Sequence, residues 1–240
     1  MCFTIYLLFE FIYYQLAKMK KFYLVYLTLS IFIVCATAQN NSIGNSDADA
    51  KKILDAVSAK LKSYKGVQTS FTLQIANSAG KIETTKKGTL NMLGHKYHLQ
   101  MSGQEIYCDG INVWTYDKSN NEVTLTKYDA SSKTISPENI FTDFYDKDFL
   151  YKLNGDTKQD NKTLQEIELT PVNKTKTFYK VYLLIDKPTK TIYSVKWLEK
   201  NGTKYTITAN KLTGNALLND AAFVFDKSKY PGVEEVDLRN

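Results

Sequence analysis

From Val67 onward the chain alternates. Val67, Thr69, Phe71, Leu73 and Ile75 are set against Gln68, Ser70, Thr72 and Gln74, a period of two that sorts side chains onto the two faces of a strand. Just upstream the period is longer. Ala50, Ile53, Leu54, Val57, Leu61 and Tyr64 recur every three or four residues, the single apolar stripe of a surface helix. The pattern predicts that helix over about 47–64, with Ser46 as cap, Asp47 and Asp49 in the first turn and Gly66 as the stop. Alternating runs follow at 82–93, 95–101, 104–108, 111–117 and 122–128, punctuated by Gly94, Gly103 and the hairpin dipeptide Asp109-Gly110.

Ser136-Pro137-Glu138 interrupts the strands. Ser at a cap, Pro at the first helical position and an acid next predict a short helix with Ile140, Phe141, Phe144 and Tyr145 on one side. Strands resume at 148–154, 163–170, 177–186, 191–199 and 203–212, with Asn154-Gly155, Asp186-Lys187-Pro188 and Asn201-Gly202 as turns. Phe223-Val224-Phe225 reads as a last short strand, and Glu234, Glu235 and Asp237 as a solvated tail. Ten to eleven antiparallel strands with few helices make a mainly β domain built on one large curved sheet or barrel.

A sheet buried on one face must cover it. Phe71, Leu73, Leu90, Met92, Tyr97, Leu99, Met101 and Ile106 could line that face, with the two helical stripes above it. Two readings stand. The sheet and helices pack into a solid core, or the concave side stays open for an apolar ligand with the helices as lid.

The N-terminal segment changes the expected compartment. Lys20 and Lys21, the apolar run Phe22 to Val34 and Ala36-Thr37-Ala38 form an export signal, cleaved after Ala38, with translation starting at Met19. Residues 39–46 are then a flexible leader and 47–240 a single domain. Setting aside residues 1–38 removes three lysines (Lys18, Lys20, Lys21) and Glu10, and lowers the net charge from +6 to +4. That charge is mild and spread along the chain, unlike a nucleic-acid footprint.

Little in the chain suggests catalysis. Cys108 stands alone after residue 38, so no internal disulfide is expected, and it reads as a small buried residue at a strand end. His95 and His98, three apart on one strand, would point to opposite faces as rim residues and could not share a metal. No phosphate loop, metal-ligand cluster or nucleophile elbow is present, and no cofactor is expected.

Several motifs occur together in one order. Cys108-Asp109-Gly110-Ile111-Asn112-Val113-Trp114-Thr115-Tyr116 continues to Glu122-Val123; Ser136-Pro137 leads to Ile140-Phe141; Phe223-Val224-Phe225 precedes Tyr230-Pro231-Gly232-Val233 and Val236-Asp237. This series resembles the periplasmic lipoprotein carriers of the LolA family, with the Tyr-Pro-Gly-Val form typical of Bacteroidetes-like members.

The resemblance implies an unclosed antiparallel half-barrel covered by helices, and a carrier that takes the acyl chains of lipoproteins from the inner to the outer membrane. On that reading Trp114 joins the eight apolar residues above as acyl-chain contacts. Leu54, Val57, Ile140, Phe141 and Phe144 belong to the lid. The implied partners are acylated lipoproteins, an inner-membrane ABC releasing complex and an outer-membrane acceptor; the carrier is expected to be a monomer without catalysis. One feature departs from the family. Its carriers have a basic residue, tied to lid closure and release, just after the strand that here is Thr89 to Leu93. This chain has Leu93-Gly94-His95, and Lys96 is the nearest fixed charge. A periplasmic sensor of stray lipoprotein and an exported hydrolase are the competing expectations.

Overall fold

The computed structural model describes residues 46–129 and 148–239. The expected export segment 1–38, the leader up to Asn45 and the short helix with Ile140, Phe141 and Phe144 lie outside the described residues.

Helix α1 runs Ala48–Lys62 and turns Ala50, Leu54, Val57 and Leu61 inward, as the stripe predicts. Its cap is Asp47, one residue later than expected. The Asp47 carboxylate accepts from the backbone N–H of Asp49 at 2.8 Å and Ala50 at 3.2 Å, and its second oxygen accepts from Leu153 N–H at 3.1 Å. Ser46 has too short a side chain to hold both the helix end and a neighbouring strand. Asp47→Ala should cost about 1–2 kcal/mol in urea unfolding; a loss below a few tenths would show that the cap is idle. Gly66 is not the stop, because the helix is over at Lys62. A Cβ at Gly66 would lie 2.7 Å from the Ala216 carbonyl oxygen, so glycine permits a close backbone approach there.

Among the described residues twelve strands form one sheet: β1 Val67–Ala76, β2 Ile82–Leu93, β3 Lys96–Met101, β4 Gln104–Cys108, β5 Asn112–Asp117, β6 Glu122–Lys127, β7 Phe149–Gln159, β8 Lys162–Pro171, β9 Phe178–Asp186, β10 Thr191–Glu199, β11 Lys204–Gly214 and β12 Glu234–Asp237. Their order is β12-β6-β5-β4-β3-β2-β1-β11-β10-β9-β8-β7, an open sheet with β12 and β7 at its edges. The ladders are antiparallel apart from β12, which runs parallel to β6. The pairing of β1 with β11 joins the meander β2–β6 to the meander β7–β11.

Three expectations are corrected. Asn154-Gly155 is a bulge inside β7, where the register slips between Leu153 and Gly155. The hairpin turns later, at Asp160-Asn161, both at positive φ (49° and 60°), the conformation a two-residue hairpin turn requires. Residues Asp220–Phe223 form a 3-10 turn rather than a strand, capped by Asn219, with Phe223 fully buried. The acidic tail is β12: Glu234 to Asp237 pair with Glu122 to Leu125.

Three apolar clusters hold the sheet. Helix α1 packs through Leu54 and Val57 on the inner face of β7–β10, against Ile167, Leu169, Leu183 and Ile185. On the same face, Phe71, Leu90, Tyr97 and Cys108 cluster beneath Leu73, Met92, Leu99, Met101 and Ile106. On the outer face Tyr107, Tyr116, Val123, Phe225 and Val233 bind the C-terminal segment to β4–β6.

Candidate functional site

The inner face is not filled throughout. Beside α1, a cavity of about 260 Å³ is lined by Phe71 and Leu73 of β1, Leu90 of β2, Leu99 and Met101 of β3, Ile192, Val195 and Trp197 of β10, and Ile207, Ala209 and Leu212 of β11. Thr69, Tyr193 and Ser194 complete the wall, and among the described residues no charged side chain takes part. The volume is near the lower end of the roughly 300–1,000 Å³ of ligand clefts, room for part of one acyl chain.

Local rules build this wall. Phe71 pairs with Gly88 and with Ala209, the small residues on its two neighbours. A Cβ at Gly88 would come within 2.5 Å of Phe71 Cζ, so the missing side chain is what lets the ring lie across β2. On β10, Ile192 and Val195 are three apart and should face opposite ways. A bulge at Tyr193, where the register to β9 slips between Ile192 and Ser194, turns both inward.

Of the sequence candidates, Phe71, Leu73, Leu90, Leu99 and Met101 meet in the cavity. Met92, Tyr97 and Ile106 sit in the cluster beside it. Trp114 does not join them. It pairs with Tyr107 and Leu125 on the outer face and packs against the cluster there, because Cys108↔Val113 is the inward pair of that hairpin and Trp114 is one residue further on. Leu54 and Val57 are buried at 2% and 5% exposure in the α1 core rather than in the cavity wall. The solid packing and the open hollow are therefore both present, side by side on one face.

Sequence reasoning missed the β10–β11 half of the wall. Val195-x-Trp197 and Ile207-x-Ala209 do alternate, but nothing local says that β11 returns to β1.

It also missed a polar centre on the outer face. Glu105 is 4% exposed, and its carboxylate accepts from Lys118 Nζ at 2.8 Å, Tyr107 Oη at 2.6 Å, Tyr230 Oη at 3.2 Å and Gln100 Nε2 at 3.2 Å. His98 Nε2 lies 3.3 Å away, and its ring stacks on Tyr107 at 4.0 Å. His98 is thus half-buried in a network, not a rim residue. Burial alone would raise the Glu105 pKa; Lys118, Tyr107 and His98 outweigh it and hold the carboxyl at about 2. Burial is also the main cause that depresses His98, opposed by Glu105. Tyr230 brings the chain's end to this centre, so the network clasps the C-terminal segment.

Cys108 is fully buried at the end of β4, as expected, with Sγ 3.4 Å from Gly110 N–H. Among the described residues no group of His, Cys, Asp or Glu could hold a metal ion, and no helix is long and apolar enough to cross a membrane. Lys96, the fixed charge nearest the departed latch position, pairs with Asp220 at 2.9 Å, an exposed link to the 3-10 turn.

The model of the family described as outer membrane lipoprotein carrier protein LolA matches residues 62–226. The fold is similar to that of an uncharacterized conserved protein from Thermus thermophilus, with a TM-score of 0.55 at 12% identity over 79% of this chain and 99% of that one. Weaker likenesses include the Mycobacterium tuberculosis lipoprotein LppX (TM-score 0.46, 11% identity, 72% and 99% covered). Another is a LolA superfamily protein from Nitrosomonas europaea (0.40, 13%, 73% and 97%). No curated protein matches the chain.

Proposed function

The chain belongs to the LolA family of outer membrane lipoprotein carrier proteins, and from that premise we propose that it is an exported, periplasmic carrier of acylated lipoproteins. The observation that carries the reading is the hollow itself: a concave sheet face left unfilled and lined by aliphatic, aromatic and methionine side chains. Met101 and Phe71 suit irregular acyl chains, since thioethers and rings adapt their packing. The ligand would be held by burial alone, without a fixed charge.

The energetics fit a shuttle. At about 0.8 kcal/mol per methylene, a ~16-carbon chain represents on the order of 10 kcal/mol. Several such chains exceed what a protein with a small cavity can draw from a bilayer unaided. Loading then calls for an energised inner-membrane ABC complex, and unloading for an outer-membrane acceptor with more apolar surface. Leu54 and Val57 lock α1 into the core, so this helix is not a moving cover. Any moving cover has to come from elsewhere, and the segment with Ile140, Phe141 and Phe144 is the proposed one.

The test is native mass spectrometry of the protein purified from its own periplasm. Adducts with the mass of acylated polypeptide are expected. Protein carrying only free phospholipid would favour a lipid sensor, and protein without any acylated adduct under gentle extraction would overturn the carrier reading.

A further inference from the structure

The ladder between β10 and β11 stops short. It runs from Leu198↔Lys204 only to Ser194↔Thr208. Beyond that point β10 continues with β9 down to Thr191, while β11 continues with β1 up to Gly214. The two strands part, each at a bulge: Tyr193 on β10, and Asn210 on β11, where the register to β1 slips between Ser70 and Phe71. Among the described residues no strand fills the resulting V.

That split is a cleft of about 590 Å³, and it shares Ile192, Tyr193, Ala209 and Leu212 with the apolar cavity. Its other walls are polar. Thr189 and Thr191 stand on one side with their hydroxyls 2.8 Å apart; Lys211 and Asn210, whose amide is bonded to Thr72 Oγ1 at 3.0 Å, stand on the other. Its charges balance internally: Lys162 meets the buried Asp186 at 2.6 Å, and Tyr193, at the junction with the cavity, donates its hydroxyl to Asp160. A polar, hydrogen-bonding opening thus leads into an apolar hollow, the layout an amphiphile requires.

We propose that the split between β10 and β11 is a head-group subsite that seats the uncharged ester-and-amide end of an acylated ligand whose chain lies between Phe71 and Trp197. The inference rests on the carrier reading and adds the chemistry of the polar end. An anionic head would gain nothing net from a cleft holding Asp160 and Asp186 against Lys162 and Lys211. Ester and amide groups can exchange hydrogen bonds with the Thr189 and Thr191 hydroxyls, with the donor and acceptor sites that the Asn210 amide keeps beyond its bond to Thr72, and with the strand edges that the fork leaves open. Diacylglycerol and a lipidated cysteine share the ester part; the lipidated cysteine adds the amides.

The experiment displaces a fluorescent fatty acid from the full mature chain with three competitors carrying the same two palmitoyl chains: dipalmitoylglycerol, a dipalmitoylglyceryl-cysteine hexapeptide of no net charge, and dipalmitoylphosphatidylglycerol. The lipopeptide should compete best, about tenfold better than the phosphatidylglycerol, as one or two net hydrogen bonds provide. In Thr191→Val/Asn210→Leu that preference should collapse while fatty-acid affinity holds. Lys211→Glu, at an exposed position that the fold tolerates, should widen the discrimination against the phosphatidylglycerol. Equal competition by all three lipids, or a preference unmoved in both variants, overturns the subsite and leaves the acyl cavity standing. Failure of the fatty acid to bind at all overturns the carrier reading and the subsite together. A lipopeptide no better than dipalmitoylglycerol removes the amide part of the proposal.

Discussion

Leu99→Glu is expected to weaken acyl-chain binding roughly a hundredfold while leaving the fold intact. Leu99 sits near the middle of β3, pairs with Leu90 and Ile106, and turns its side chain into the cavity between Leu90 and Met101. It is only partly buried, so a glutamate there can reach water without opening the strand ladder. What the carboxylate ruins is the hollow. It carries its hydration into the space an acyl chain must dry. If the contacts of four methylenes are lost, binding weakens by about 3 kcal/mol, or roughly a hundredfold.

Leu99→Met, of similar volume and apolar, should bind within about threefold of the parent. The measurement is displacement of a fluorescent fatty acid, with circular dichroism and urea midpoints recorded for both variants. Full retention of binding in a folded Leu99→Glu protein would rule this cavity out as the acyl site.

Why Leu99 could be picked from sequence and Val195 could not is a matter of range. Leu90, Leu99 and Ile106 lie on three strands joined by tight turns, so the local alternation and the glycine-marked turns already place them on one face. The far wall depends on Phe71 pairing with Ala209 across the whole chain, and on a bulge at Tyr193 that no local pattern signals. The same one-residue sensitivity misplaced Trp114: the alternation of β5 was visible, but which of its faces is inward is fixed by Cys108↔Val113. The tail failed for a related reason. Charged Glu234, Glu235 and Asp237 look solvated in sequence, and they are exposed; the backbone between them nonetheless pairs with β6. Glu105 was unreadable because Lys118 comes from the turn after β5 and Tyr230 from the C-terminal segment, 125 residues on.

Glu105→Gln should make the protein markedly less stable at neutral pH and hardly less stable in strong acid. The parent's carboxyl titrates at about 2 in the fold against an ordinary 4.5, with its side chain 5% exposed. An acid with a depressed folded pKa contributes stability that is complete above its unfolded value and is lost as pH falls through the folded one. Here the window runs from about pH 4.5 down to about 2. The shift corresponds to roughly 3 kcal/mol.

Glutamine keeps the shape and can still bond Tyr107 or Gln100, but it offers Lys118 no charge. Urea unfolding across pH should therefore show a gap of about 2–3 kcal/mol at pH 7 that narrows below about pH 4.5 and is nearly gone at about pH 2, as the parent protonates and comes to match the variant. His98 adds a separate slope. Burial holds its pKa below the ordinary value, so the unfolded chain binds its proton first and stability declines as pH drops below about 6.5. In the variant His98 loses the Glu105 charge that opposes its depression, so this slope steepens while the Glu105 step below pH 4.5 disappears. A gap of constant size from pH 7 to pH 2 would mean that the Glu105 charge does not clasp Tyr230 and the C-terminal segment to β4–β6.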